Sequence, residues 1–170
     1  FFINTSCPTI RKVAVKCIPF FSGEGSATKS FTARLFFNIS GMSFGAISKP
    51  AVQALSYGAH KAGAWMNTGE GGLSPYHLEG GADIVFQIGP AKYGVRDKDG
   101  NLSVEKVREI AAHETVRMFE IKMSQGAKPG KGGMLPAVKV DDEISKIRGI
   151  PAHTDSISPN RHPEIENNDD

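Results

Sequence analysis

Phe119-Glu-Ile-Lys-Met-Ser-Gln-Gly-Ala-Lys-Pro-Gly-Lys-Gly-Gly-Met-Leu-Pro136 is the stretch on which the reading of this chain turns. It enters as a strand, with Met118, Glu120 and Lys122 on one face and Phe119, Ile121 and Met123 on the other. It leaves as a loop holding Gly126, Gly130, Gly132 and Gly133, two prolines, and the cations Lys128 and Lys131. Glycine lets backbone N–H groups approach a ligand closely, and lysines add fixed positive charge. A rigid strand followed by a cationic glycine loop is how an α/β protein holds an anion. A basic surface turn has the same composition, so the loop alone leaves both readings open.

Upstream, the same strand-then-loop pattern recurs. Phe36 to Ile39 reads as a strand end, followed by the turn Ser40-Gly-Met-Ser-Phe-Gly45. Ser48 is placed as an N-cap, Pro50 in a first turn and Gly63 just past a helix end, with Val52, Leu55, Ala59 and Ala62 as the buried face. Ala64 to Asn67 and Asp83 to Ile88 are predicted strands, and Thr68-Gly-Glu-Gly-Gly72 is a loop between them. Asp97-Lys-Asp-Gly100 is a turn, Ser103 caps a helix to about Ala112, and Val116 to Met123 is the next strand. Asp141 or Asp142 caps a further helix through Ile144, Ile147 and Arg148, ending at Gly149.

The unusual residues therefore cluster after strands. Reactive groups at the C-terminal ends of successive strands are the hallmark of a (β/α)8 TIM barrel. A dinucleotide-binding sheet would instead carry Gly-x-Gly-x-x-Gly between a strand and a helix, and no strand here is followed by that pattern. The expected class is α/β, a (β/α)8 TIM barrel that is incomplete in this chain. Such a barrel needs about 200 residues or more, and 170 residues supply the first four to five βα units. The open sheet edges of a partial barrel invite self-association or a partner chain. Residues 1–38 read as an N-terminal extension and 39–170 as the partial barrel domain.

A net charge of +2 is too small to argue for nucleic acid. No apolar run reaches membrane-spanning length, so a membrane partner is not expected. Cys7 and Cys17 cannot make a four-ligand metal site alone, and His60, His77 and His113 have no metal-ligand spacing, so no metal is expected. Reduced thiols suit a cytoplasmic protein. The basic, Ser/Thr-containing segment 1–38, which holds Phe1, Phe2, Phe20, Phe21, Phe31, Phe36 and Phe37, reads either as an organelle transit segment or as an unrelated extension.

Three motifs carry a resemblance. Ile39-Ser-Gly-Met-Ser-Phe-Gly-Ala46, Asn67-Thr-Gly-Glu-Gly-Gly72 and Ile121-Lys-Met-Ser-Gln-Gly-Ala-Lys-Pro-Gly-Lys-Gly-Gly-Met-Leu-Pro136 resemble the flavin-binding synthase domain of the glutamate synthases, the short stand-alone glutamate-synthase-like proteins in particular. Ile157-Ser-Pro-Asn-Arg-His162 follows where that family has a Ser-Pro loop, and the resemblance runs from about Ile39 to the C-terminus. It implies an oxidoreductase that uses FMN to reduce 2-iminoglutarate, formed from 2-oxoglutarate and ammonia or a glutamine-derived equivalent, to L-glutamate. By the same resemblance, Met42, Ser43, Lys122 and Met134 face the flavin. Ser43, Gln125, Lys128 and Arg148 hold the 2-oxo acid, and Glu70 receives ammonia. Lys122 and Glu70 are thus the expected catalytic pair. The family's iron–sulfur cluster would belong to cysteines this chain lacks, and the electron donor is not carried by these motifs. Met134 stands where full-length glutamate synthases have Gln, which leaves the substrate within the family open. Read without kinship, Lys122 is a barrel lysine that could be ion-paired, Glu70 a solvated loop carboxylate and Arg148 a helix-end cation beside the dipole.

Overall fold

Ser48 opens the first long helix in extended conformation (φ −74°, ψ 160°) and Pro50 fixes its first turn, giving α1 over Lys49–Ala62. Gly63 ends it at φ 70°, where its N–H reaches the carbonyls of Ala59 and His60. The buried side chains are Val52, Ser56 and Ala59. Leu55 is half-buried and Ala62 exposed, so the stripe sits one step round from the expected one. A serine can occupy it because its hydroxyl donates to the His77 carbonyl at 2.8 Å and accepts the Gly80 N–H at 2.9 Å.

The computed structural model describes residues 20–22, 31–126 and 130–167. Cys7, Cys17 and Lys128 lie outside them. The strands are β1 (Phe20–Ser22), β2 (Phe31–Ala33), β3 (Met66–Asn67), β4 (Ile84–Ile88), β5 (Val116–Ile121), β6 (Gly133–Leu135) and β7 (Ser156–Ser158). The remaining helices are α2 (Pro75–Leu78), α3 (Val104–Ala111) and α4 (Asp142–Arg148), with a 3-10 turn at Ala137–Lys139. Asp141, not Asp142, is the cap of α4, its carboxylate accepting the Ile144 N–H at 2.8 Å. Gly149 closes that helix at φ 70°. The Ser103 side chain accepts the Lys106 N–H at the start of α3.

β3, β4 and β5 form a parallel sheet in chain order. Ile39 bridges Met66 on the outer side of β3, again parallel, so the segment before α1 enters the sheet as a single bridge rather than as a strand from Phe36. Phe36 and Phe37 are exposed and stack edge to face on each other instead. Parallel neighbours joined through helices place every strand's C-terminal end on one side, and the loops that leave those ends gather there. Alternation then sorts the side chains. Met66, Ile84 and Phe86 are fully buried. Met66 and Ile84 join Val52 and Ala59 of α1 in the core, with Phe44, Leu135, Val140 and Ile144. The opposite face buries Val85 and turns polar toward the C-terminal ends of the strands, where Glu120 accepts from Asn67 Nδ2 at 3.0 Å and from Gln87 Nε2.

Two pairings were not expected from the pattern. β1 and β2 form an antiparallel hairpin, and β6 pairs antiparallel with β7 (Gly133 opposite Ser158, Leu135 opposite Ser156). All four are three-residue strands, too short for alternation to announce them. Among the described residues β5 has no strand on its second side. Ile121 is 60% exposed and Met123 57%.

Candidate functional site

The loop after β3 is shaped by Asn67 and Gly69. The Asn67 side-chain oxygen accepts the Gly69 N–H at 2.8 Å, a local turn that Asn makes readily. Gly69 sits at φ 65°, and a Cβ there would collide with the Ser43 backbone. The turn thus lays the 67–72 loop against the 42–45 loop and aims Glu70 across the sheet toward β5. Its target, Lys122, is held by its backbone on both sides. Its N–H donates to Ile88 at 2.9 Å, and its carbonyl meets His162 Nε2 at 2.9 Å.

Lys122 Nζ lies 2.9 Å from Glu70 Oε1 and 2.9 Å from Gln125 Oε1. Gln125 Nε2 reaches both Glu70 oxygens at 3.0 Å, and the Ser158 hydroxyl donates to Glu70 Oε2 at 2.8 Å. Burial by itself pushes the Glu70 carboxyl up. The Lys122, Gln125 and Ser158 donors, with the Lys122 charge, outweigh it and hold the carboxyl below its ordinary value. Glu70 is an ionised acceptor in a closed polar network.

Arg148 ends α4 but does not serve the helix dipole at the surface. It is 5% exposed, with Nη1 donating to Ser156 Oγ at 3.0 Å and the guanidinium 5.0 Å from the Tyr93 ring centre. Among the described residues no carboxylate lies in ion-pair range of it. Burial lowers its pKa, and the phenol of Tyr93 and the charge of Glu70 work against that. A guanidinium stays charged regardless, so the site carries Lys122 balanced by Glu70 and one unbalanced buried cation.

These groups line one cleft of about 340 Å3 at the C-terminal ends of the parallel strands. Its walls hold Ser43, Glu70, Lys122, Gln125, Met134 and Arg148, together with Tyr93, Gly133, Ser156 and Ser158. Six residues singled out from the sequence are thus brought together. Met42 is set back from the cleft, its carbonyl taken by His77 Nε2 at 3.0 Å. His77 is fully buried, and Ser74 N–H at 3.1 Å fixes its Nδ1 as the acceptor. Burial pushes its pKa down, partly offset by the Met42 carbonyl, so it braces the 42–45 loop as a neutral ring. Tyr93, Ser156 and Ser158 were missed. Tyr93 follows a strand, which is the signal that would have found it; the two serines are marked only by the Ser-Pro loop. Among the described residues no three His, Cys, Asp or Glu side chains gather as a metal site. No helix among them is long and apolar enough to cross a membrane.

The family described as the conserved region in glutamate synthase matches residues 15–170. A glutamate synthase large subunit-like protein of Bacillus subtilis is 44% identical over 146 residues, covering 85% of this chain and 28% of that protein. A protein of the same description from Rhizobium meliloti is 36% identical over 148 residues, 87% of this chain and 30% of that protein. An archaeal glutamate synthase (NADPH) of Methanocaldococcus jannaschii is 41% identical over 128 residues, 75% of this chain and 22% of that protein. The chain therefore spans less than a third of the length of these relatives. With a match that covers most of its residues, the chain belongs to the glutamate synthase family.

Proposed function

We propose that this chain is the first part, residues 39–170, of a (β/α)8 barrel whose complete form is an FMN-dependent oxidoreductase of the glutamate synthase type. It would reduce 2-iminoglutarate, from 2-oxoglutarate and ammonia, to L-glutamate. The observation that carries the reading is the buried Arg148, unpaired by any described carboxylate, on the wall of the cleft that also holds the Glu70–Lys122–Gln125–Ser158 network. A desolvated guanidinium calls for an anion, and a planar carboxylate matches its fork. Ser43 and the Lys128 loop complete the set proposed for the 2-oxo acid. Gln125 joins that set by exchanging one of its present bonds to Glu70.

The residues fit the ring side of a flavin. Lys122 Nζ gives two of its three hydrogens to Glu70 and Gln125, and the third remains for an electron-rich ring edge. Gly133 keeps its side of the cleft open, since a Cβ there would stand 3.3 Å from Glu70 Oε1. Ser43 and Met134 are assigned to the same cofactor, Met134 as an apolar, 59% exposed rim, whereas Met42, set back from the cleft, supports the loop that carries Ser43. When bound, FMN supplies the hydride for the imine carbon. Glu70, ionised, would receive ammonia by exchanging one of its present donors for an N–H of the incoming molecule, and Arg148 holds the substrate carboxylate away from it. The described residues include no cysteine to hold an iron–sulfur cluster.

The test is visible absorbance of the 170-residue chain after mixing with FMN and desalting, followed by glutamate formation from 2-oxoglutarate and ammonium. Retained flavin bands that are lost in Lys122→Ala support the reading. A colourless wild-type chain that forms no glutamate sinks it for this chain. The archaeal-type relatives are named for NADPH, which makes that nucleotide the first donor to assay. A second reading, that the chain acts only against further polypeptide, is favoured by the exposed Ile121 and Met123 at β5.

A further inference from the structure

The loop after β4 is built with more constraint than a connection needs. Lys92 is one of two described non-glycine residues at positive φ (53°), a conformation that costs a side-chain-bearing residue energy and marks positions fixed for another purpose. The strained turn is clamped. Lys92 N–H donates to Gly89 at 2.8 Å, Gly94 N–H to the Arg148 carbonyl at 3.2 Å, and Lys92 Nζ is ion-paired with Glu164 at 2.9 Å. Between the clamped residues stands Tyr93, 2% exposed, its ring against the Arg148 guanidinium. The Tyr93 hydroxyl and Arg148 Nε are both buried, and neither makes a hydrogen bond of good geometry, although Ser156 and the Arg148 guanidinium are near enough to influence the phenol. Two adjacent unsatisfied donors on a cleft wall are costly unless a ligand completes them.

We propose that Tyr93 is a specificity-determining residue of the cleft, its hydroxyl donating, beside Arg148, to one carboxylate of the anionic substrate. The inference rests on the function proposed above and assigns the carboxylate subsite. Ser156, bonded to Arg148 Nη1, is the group that turns aside as the ligand enters. Burial raises the Tyr93 pKa, which keeps the phenol a donor at neutral pH. Phenylalanine would keep the ring on the guanidinium and remove only the donor.

The experiment is calorimetric titration of the 170-residue chain and of Tyr93→Phe with 2-oxoglutarate, oxaloacetate, pyruvate and inorganic phosphate, alongside thermal melts without ligand. The expected result is binding of 2-oxoglutarate weakened roughly 10-fold or more in Tyr93→Phe, the scale of a lost hydrogen bond to a charged group. The ligand-free melting temperature should be unchanged or higher, because an unsatisfied buried hydroxyl has been removed. A merely structural tyrosine would leave affinity alone. Equal binding of 2-oxoglutarate by both forms overturns the role of Tyr93 and leaves the proposed function standing. Tyr93-dependent binding of another of these anions, with none of 2-oxoglutarate, supports the donor role and sinks the glutamate reading. No binding of any of the four overturns both.

Discussion

A carboxylate survives inside a protein when its lone pairs are filled, and Glu70 fills them with Lys122, Gln125 and Ser158. Its folded pKa lies below the ordinary value of 4.5. The unfolded chain therefore binds the proton more readily than the folded one in the acid range. The stabilisation is complete above about pH 4.5, the unfolded value, and is lost as pH falls through the lower folded value. Glu70→Gln should remove that acid limb from a plot of urea midpoint against pH. It should also cost about 1–3 kcal/mol at pH 7, because Lys122 loses its charged partner. An unchanged acid limb in the variant would mean that other carboxylates set it. The sequence marks Glu70 as a residue of interest only through the Asn-Thr-Gly-Glu-Gly-Gly motif. Nothing local says whether that carboxylate is solvated or enclosed, since its partners lie 52, 55 and 88 residues away.

At the scale of elements, the β6–β7 pair carries Ser158 and Ser156 to the cleft. Gly132, at φ 72°, makes the approach possible, because a Cβ there would run into the Ser158 carbonyl oxygen. Gly132→Ala should separate the pair and destabilise the chain by about 2 kcal/mol or more, read by chemical denaturation. Gly126 is the contrast in the same glycine loop. Nothing lies within 4 Å of a Cβ added there, and Gly126→Ala should be near neutral. If both substitutions cost the same, the close approach at Gly132 is not what holds β6 to β7. α1 and α4 were legible in advance because caps and periodicity are local: Ser48, Gly63, Asp141 and Gly149 sit where the chain turns. The buried face of α1 was legible less well. Ser56 is inside only because His77 and Gly80, more than 20 residues on, complete its hydroxyl. The hairpin β1–β2 and the pair β6–β7 gave no signal, being three residues long and defined by their partners.

For the molecule as a whole, the parallel sheet of the described residues ends at β5, where Ile121 and Met123 are more than half exposed. An apolar strand edge is a template for pairing. The chain should show concentration-dependent association in sedimentation velocity, and Ile121→Lys with Met123→Lys should weaken it. A monomer at every concentration would count against the open edge as an association surface. The sequence by itself determined the α/β class, the limits of α1, α3 and α4, and the three motifs that place the chain in its family. These depend on the spacing of neighbouring residues, which the chain carries wherever it is. Only the tertiary structure decided that Ser43, Glu70, Lys122, Gln125 and Arg148 share one cleft, that Tyr93 and Ser158 belong with them, and that Arg148 turns inward. Parallel order brings the ends of strands together across long stretches of chain, and burial then sets which charges are paired and which one is left over.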